Sequence, residues 1–282
     1  MMNNFFQRLL VAVIGIPILL GAAIAGGIWF FLLIQIIAVG VLYELYRLAE
    51  KKQTQPHYII GLAGLTGILI FFGYQSLSGI FGMNQGISEA YNFIAVVAIF
   101  FVLISIVYEL YRFTGSPFLN IGMTMFGVLY VGVGLGTFIG LRELFDSGAI
   151  IILIFISIWV CDTAAYLGGI AIGKHKLYTA VSPNKTVEGA VFGFVFAIIT
   201  SVVCKYIFVG DISLFDAFMI GLIVGIVGQV GDLAESMLKR DAGVKDSSSF
   251  FPGHGGFLDR FDSIMFVAPA VYLYFVTGMH MY

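Results

Sequence analysis

Long apolar runs follow one another along almost the whole chain and leave only short polar segments between them. A bilayer core about 30 Å thick needs roughly 20 apolar residues per helix, at a rise of about 1.5 Å each. The pattern therefore predicts an all-α, polytopic integral membrane protein with about nine transmembrane helices in a single membrane domain, 1–282. The predicted spans are 9–25, 28–46, 58–74, 91–112, 118–141, 149–172, 187–207, 214–235 and 262–279.

The charge balance and the cysteine positions exclude several classes of protein. Only 11% of the 282 residues are charged, and 16 acidic against 14 basic side chains leave a net charge of −2. A nucleic-acid binder needs a basic excess to displace counterions from phosphates, so this balance excludes nucleic acid as a partner. A hydrophobic share of 60% excludes a disordered chain. Cys161 and Cys204 lie inside apolar runs and have neither zinc nor disulfide spacing.

Lysine and arginine are distributed unevenly between alternate loops. With the N-terminus in the cytoplasm, twelve of the fourteen fall in cytoplasmic segments, and only Arg142 and Lys205 lie on the opposite side. Because cytoplasmic loops carry such an excess, the count predicts a cytoplasmic N-terminus. Residues 1–25 alone resemble a signal peptide, but the run is long and a second span follows at once, which favours a retained helix.

Two short patterns concern the way the helices meet. The pentapeptide YELYR occupies 43–47 and recurs at 108–112, at the inner ends of predicted spans two and four. We interpret it as an interfacial Tyr/Arg anchor used twice, with a duplicated helix pair as the alternative. Glycines at helical spacing in spans five and eight, such as Gly132 and Gly136, predict close helix packing, with a dimer contact as one candidate.

Charged side chains inside a membrane cost about 2.5–3.5 kcal/mol each at mid-depth, so their positions indicate function. In this chain they gather in the second half, towards the predicted cytoplasmic side. This divides the chain into a scaffold of spans one to four, 1–115, and a part that carries a cytoplasm-facing site, 116–282. The acidic residues of the second part that draw attention are Asp162, Glu188, Asp232, Glu235, Asp259 and Asp262.

Two neighbouring spans place carboxylates where they can meet. Asp232, Ser236 and Lys239 lie on one helix face, and Asp259 and Asp262 share a face where the next helix starts. Facing carboxylates repel unless a cation lies between them, and hard oxygen ligands without His or Cys favour Mg²⁺. Basic side chains suit phosphate oxygens, and glycines allow backbone N–H groups to approach an anion. The residues concerned are Lys239, Arg240, Lys245, Arg260, Gly253, Gly255 and Gly256.

Purely structural roles for these charged residues also remain open. Lys and Arg at inner helix ends are typical of ordinary topology signalling, and Asp259 with Asp262 is also typical of a helix cap with ion pairs. One phosphate-binding pattern is excluded. Residues 168–174 read GxxxxGK, but His175 follows instead of Ser or Thr, and the segment continues a membrane helix and not a strand. We therefore interpret Gly168 and Gly169 as helix-packing residues.

The charged segment resembles a known family signature. The run 236–262, which reads SMLKR-x4-KD-x5-PGHGGFLDRFD, is similar to the C-terminal motif of the CDP-diacylglycerol synthases, also called phosphatidate cytidylyltransferases. The segment 182–189, SPNKTVEG, is similar to a second motif of that family. Asn184 and Val187 stand where many members have Lys and Trp.

The resemblance implies an enzyme that joins CTP and phosphatidic acid to give CDP-diacylglycerol and pyrophosphate, with Mg²⁺ and room for a second cation, acting as a homodimer. It implies that Asp232 and Asp259 are metal ligands, with Asp162 and Asp262 as further candidates for the metal or its support. The implied catalytic residues are Asp232, Asp259, Lys239, Arg240 and Arg260. The implied substrate-binding residues are Ser182, Lys185, Thr186, Glu188, Ser236, Lys245, His254, Gly255 and Gly256.

Two other kinds of function compete with this expectation. Another CTP-dependent lipid enzyme, such as a polyprenol kinase or a CDP-archaeol synthase, would use similar groups. A secondary transporter would carry polar residues towards both membrane faces, whereas here the charge gathers on one side. The sequence therefore favours a cytidylyltransferase of the bacterial cytoplasmic membrane, with its active site facing the cytoplasm.

Overall fold

A computed structural model describes residues 4–81, 87–145, 147–251, 253 and 255–278 of the chain. Within them the chain forms eleven α-helices, one π-helical turn and one short β-hairpin. The helices are α1 (Asn4–Ala25), α2 (Gly27–Glu50), α3 (Tyr58–Phe72), α4 (Tyr74–Phe81), α5 (Ile87–Arg112), α6 (Pro117–Leu144), α7 (Ala149–Ile172), α8 (Val187–Ile207), α9 (Leu214–Ile223), α10 (Gln229–Asp241) and α11 (Leu258–Gly278). The strands are β1 (Lys176–Tyr178) and β2 (Ser182–Thr186), and the π-helical turn covers Val224–Gly228.

The helical membrane fold predicted from the apolar runs is confirmed. In the described part of the chain, six helical segments are long and apolar enough to cross a membrane. Two shorter apolar helices, Val11–Ala25 and Tyr58–Phe72, accompany them. Within the described residues, each of the nine predicted spans overlaps a helical segment. The six long segments are Gly27–Glu50, Pro117–Leu144, Ala149–Ile172, Val187–Ile207, Leu214–Asp241 and Leu258–Gly278.

The close helix packing predicted at the spaced glycines is confirmed, and the contacts lie within this one chain. Helix α6 packs against α2, α3 and α11, and α7 pairs with α8. A Cβ at Gly132 of α6 would lie 3.0 Å from Ile68 of α3, and one at Gly168 of α7 would lie 2.6 Å from Phe192 of α8. An added Cβ would therefore be tight at Gly132 and would overlap its neighbour at Gly168, so both glycines let the helices pack closely.

Two local features escaped the sequence analysis. The segment between α7 and α8 folds into an antiparallel hairpin that pairs Lys176 with Thr186 and Tyr178 with Ser182. The π-helical turn interrupts the long segment that carries Asp232. Because a π turn holds one more residue than an α turn, it rotates α10 relative to a continuous helix. The hairpin and the turn both bear directly on the charged residues described next.

Candidate active site

Three carboxylates form a cluster where α10 meets α11. Asp232, Glu235 and Asp262 each offer an oxygen, and these oxygens all lie within 4.8 Å of one another. Gly231 permits the approach of the two helices, because a Cβ there would lie 2.9 Å from the carbonyl oxygen of Asp262. Three carboxylates this close repel one another unless a positive charge lies among them.

Glu235 provides an independent sign that the cluster accepts a cation. Its side chain is only 1% exposed, and its Oε1 atom has no hydrogen-bond partner in the described part of the chain. A buried carboxylate oxygen without a donor is costly. The donor set consists of hard oxygens alone, so the residues present fit Mg²⁺.

Asp259 has a different environment from the cluster. Its side chain is 5% exposed, and its Oδ2 atom accepts hydrogen bonds from the backbone N–H groups of Ser247 at 2.9 Å and Gly256 at 2.7 Å and lies 2.7 Å from Ser247 Oγ. Asp259 therefore organises the segment between α10 and α11. Its sequence-derived role as a metal ligand stays a prediction, whereas Asp262, a secondary candidate from the sequence, lies inside the cluster.

Lys239 connects these two environments. Its ammonium lies 2.7 Å from Glu235 Oε2 and 2.6 Å from Asp259 Oδ1, and its side chain is 12% exposed. The spacing of Glu235 and Lys239 on α10 puts them one turn apart on the same face. The lysine thus ties the carboxylate cluster to the segment that precedes α11.

The hairpin delivers a second lysine to the cluster. Lys185, on β2, forms an ion pair with Asp232 Oδ2, and Ser236 Oγ lies 3.5 Å from the other oxygen of Asp232. Both partners of the ion pair are about one-third exposed, since side-chain exposure is 30% for Lys185 and 31% for Asp232. The structure therefore brings Lys185, Ser236 and Asp232 together, as the sequence analysis expected of a joint metal and substrate site.

Other predicted site residues shape the backbone around the cluster. Thr186 caps α8 by accepting from the N–H of Gly189 at 3.1 Å. Glu188 accepts from the N–H of Lys174 at 3.1 Å and lies 2.6 Å from His175 Nδ1. Arg240 donates to the carbonyl of Val181 at 3.3 Å and so joins α10 to the hairpin. Ser182 begins β2 and pairs with Tyr178.

The remaining predicted residues lie around the edge of the site. Lys245 and Arg260 are exposed cations on the segment before α11 and on its first turn. Asp162 of α7 lies outside the group of three carboxylates but interacts electrostatically with Asp232, Lys185 and Arg260. The positions of Lys245 and Arg260 leave these cations free to meet an anion from solvent or from the lipid surface. His254, also predicted to bind substrate, lies outside the described residues.

Comparison with known proteins decides the family. The profile of the cytidylyltransferase family matches residues 6–277. The chain belongs to this family. It is 34% identical over 280 residues to the phosphatidate cytidylyltransferase of Bacillus subtilis (strain 168), covering 99% of both chains. It is 36% identical over 263 residues to that of Staphylococcus saprophyticus and 34% identical over 262 residues to that of Staphylococcus haemolyticus, covering 93% of this chain and 95% of each relative. The family predicted from the two motifs is confirmed.

Glu44, which supports the segment before α11 in this cytidylyltransferase, was not predicted from the sequence. Glu44 of α2 is buried, and its carboxylate accepts hydrogen bonds from Ser247, Ser248, Phe257 and Leu258. The first half of the chain, 1–115, thus contributes to the segment before α11, a contribution that its description as scaffold did not include. The available signal was an acidic residue inside an apolar run, since such residues are rarely buried without partners.

Gly255 and Gly256 of the family motif approach carboxylates, but these belong to the protein itself. A Cβ on Gly255 would overlap the carboxyl group of Asp259, and one on Gly256 would overlap that of Glu44. Gly255 also has a φ of +80°, which L side chains rarely adopt. The sequence predicts that these glycines admit a bound anion, and their role in substrate binding stays a prediction.

Gly255→Ala is expected to abolish turnover, whereas Gly243→Ala is expected to retain most of it. Gly243 has a φ of +72° with no atom within 4 Å of an added Cβ, so alanine there adds only backbone strain of about 1–2 kcal/mol. At Gly255 the same strain is accompanied by displacement of Asp259. Thermal unfolding and turnover of both variants test this, and equal losses in the two would contradict it.

Proposed function

We propose that the chain transfers CMP from CTP to phosphatidic acid, which yields CDP-diacylglycerol and pyrophosphate. The cluster of Asp232, Glu235 and Asp262 beside Lys185 carries the proposal, because it combines a cation site with an ammonium group suited to phosphate. Relatives that span nearly the whole chain bear the name phosphatidate cytidylyltransferase. The combination fits a reaction between two phosphorylated substrates.

The reaction needs positioning and charge neutralisation more than proton transfer. A phosphate monoester has a second pKa near 6, so phosphatidic acid is largely a dianion at neutral pH. One of its oxygens attacks the α-phosphorus of CTP, a new P–O–P linkage forms, and the bond to the β-phosphate breaks as pyrophosphate leaves. No general base is required, because the attacking oxygen carries no proton. Catalysis then rests on in-line alignment of the groups and stabilisation of phosphate charge.

We assign the charged residues of the site to these tasks. Asp232, Glu235 and Asp262 would hold Mg²⁺, with Asp259 as the ligand that the sequence adds. When bound, Mg²⁺ would polarise phosphoryl oxygens and offset the charge of the triphosphate. Lys185 would exchange Asp232 for a phosphate oxygen, and the exposed Arg260 and Lys245 would attract the anionic substrates.

We also propose nine membrane crossings with the N-terminus and the active site on the cytoplasmic side. Polar contacts at the two ends of the helices support the grouping of the loops on which this orientation rests. Lys52 lies 2.9 Å from Asp241, which joins two segments predicted to be cytoplasmic. Arg142 donates to the carbonyl of Ala23 at 2.7 Å, which joins two predicted to be external. The homodimer and its interface stay a prediction from the family resemblance.

Labelled CTP tests the proposed reaction. Purified protein with phosphatidic acid and Mg²⁺ is expected to move label from [α-³²P]CTP into the lipid fraction and label from [γ-³²P]CTP into pyrophosphate. A chelator in excess over Mg²⁺ is expected to stop both transfers. Appearance of the γ-label in lipid would instead indicate a kinase, and transfer only to an ether-lipid acceptor would indicate a CDP-archaeol synthase. Either result would overturn the proposal.

A further inference from the structure

Glu44 is a buried carboxylate that the proposed chemistry does not use. It lies near the inner end of α2, about 190 residues from the motif of the cytidylyltransferases in sequence, and is only 3% exposed. Its oxygens accept from Ser247 Oγ and Ser248 Oγ, both at 2.7 Å, and from the backbone N–H groups of Phe257 at 3.0 Å and Leu258 at 2.9 Å. All four donors belong to the α10–α11 segment or to the first residue of α11.

Two of these donors are the N–H groups at the start of a helix. Helix α11 begins at Leu258, so the N–H groups of Phe257 and Leu258 have no acceptor within the helix itself. A carboxylate at this end satisfies both groups and is favoured by the helix dipole. Glu44 therefore acts as the cap of α11 from a separate helix. Gly40, one turn earlier on α2, adds to the fit, because the ring of Phe257 packs where its side chain would be.

A continuous series of polar contacts leads from Glu44 to the carboxylate cluster. Ser247 Oγ lies 2.7 Å from Glu44 Oε2 and 2.7 Å from Asp259 Oδ2, so its single hydroxyl proton is shared between the two carboxylates. Asp259 contacts Lys239 at 2.6 Å, and Lys239 contacts Glu235 of the cluster at 2.7 Å. Charge-assisted contacts of this kind fix the orientation of the groups they join.

We propose that Glu44 is a positioning residue of the active site, which holds the α10–α11 segment and the start of α11 so that Asp259 and Lys239 are correctly placed beside the carboxylate cluster. The expected effect of Glu44 on kcat rests on the proposed function, whereas its expected effect on the α10–α11 segment does not. Glu44 does not belong to the group of three carboxylates. Its effect on turnover is therefore exerted through Ser247, Asp259 and Lys239.

The repeated pentapeptide supplies a matched control. Glu109 is the counterpart of Glu44 in the second YELYR copy and is 2% exposed. Its carboxylate lies 2.6 Å from His57 Nε2, accepts from Asn120 Nδ2 at 2.9 Å and lies 3.3 Å from Arg112 Nε. These partners connect α3, α5 and α6 and lie outside the α10–α11 segment. The same substitution at the two positions therefore separates a general loss of a buried carboxylate from a loss at the site.

The experiment compares Glu44→Gln with Glu109→Gln in the full-length purified protein. A glutamine side chain keeps one acceptor oxygen, but its amide group faces donors that it cannot satisfy. Glu44→Gln is expected to raise hydrogen–deuterium exchange of the amides at 247–251 and 257–261, and to lower kcat about 10-fold to 100-fold, the range typical of lost outer contacts. KM for CTP and for phosphatidic acid should change far less than kcat. Glu109→Gln is expected to leave both exchange in these segments and kcat near wild type.

Ser248→Ala extends the test to a variant that keeps the Glu44 charge. It removes one of the four hydrogen bonds to Glu44 and none to Asp259, and it also removes the acceptor of the Phe250 N–H at 3.1 Å. Exchange of the amides at 257–261 is therefore the readout for this variant, and a smaller rise there is expected even if Glu44→Gln folds poorly. The proposal is overturned if exchange in Ser248→Ala and Glu44→Gln is unchanged, if exchange rises while kcat does not fall, or if Glu109→Gln lowers kcat equally. Absence of CMP transfer in the wild-type protein would reject the proposed function, whereas the exchange data would still decide whether Glu44 holds the segment.

Discussion

Asp232→Asn is expected to lower the turnover of CMP transfer by about 10²–10³-fold while the protein still inserts into the membrane and is extracted normally. The substitution keeps the size of the side chain and removes its charge from the cluster with Glu235 and Asp262. Loss of a charged ligand removes several kcal/mol of charge stabilisation, and each 1.36 kcal/mol corresponds to a tenfold change in rate. Asp259→Asn is expected to cause a similar loss, either as a ligand or through Lys239 and Ser247.

Asp241→Asn provides the control for this prediction. Asp241 ends the same helix, but it is exposed and forms an exposed ion pair with Lys52. An exposed pair contributes at most about 1 kcal/mol, so stability and turnover should stay near wild type. The measurements are the initial rate at saturating CTP and phosphatidic acid, and the Mg²⁺ concentration that gives half of that rate. Near-normal turnover in both Asp232→Asn and Asp259→Asn would contradict the metal assignment.

Lys239→Met is expected to destabilise the protein by about 3–5 kcal/mol and to abolish turnover. The ammonium of Lys239 contacts both Glu235 and Asp259, whose carboxylates are almost completely buried. Removal of one partner leaves buried charge without compensation, which is the costly way to break a buried ion pair. Thermal unfolding in detergent, together with turnover, measures the two effects.

A second variant and a control separate the sources of this loss. Adding Glu235→Gln to Lys239→Met removes one of the two uncompensated charges and is expected to recover part of the stability but none of the turnover. Lys52→Met, which breaks only the exposed pair with Asp241, is expected to change stability by less than about 1 kcal/mol. If Lys239→Met and Lys52→Met were equally stable, the bridging role of Lys239 would be wrong.

Several features of the fold and site followed from local sequence alone. The nine apolar runs predicted helices because span length is set by bilayer thickness, a constraint that acts on each segment separately. The charged motif predicted the family, and it predicted that Asp232 meets Asp259 of the next helix, whereas the carboxylate of that helix beside Asp232 is Asp262. The glycine seams followed from helical spacing.

Other features depended on contacts that no local pattern records. The partner of Asp232 in the cluster is Asp262. The π-helical turn sets the rotation of α10, and the close approach of α10 and α11 at Gly231 sets which residues of the two helices face each other. Asp259, although only three residues away, is instead directed to Lys239 and Ser247. A helix periodicity gives the face on which a residue lies, but not which of two turns meets the neighbouring helix.

The sequence by itself therefore determined the membrane class, the positions of the helices and the family, because hydrophobic length and a dense local motif are properties of contiguous residues. Only the tertiary structure decided that Glu44 of α2 caps α11 and that the glutamates of both YELYR copies are buried with hydrogen-bond partners from other helices. The physical reason is that a buried carboxylate is stabilised by donors wherever the fold brings them, and here those donors lie more than 200 residues further along the chain.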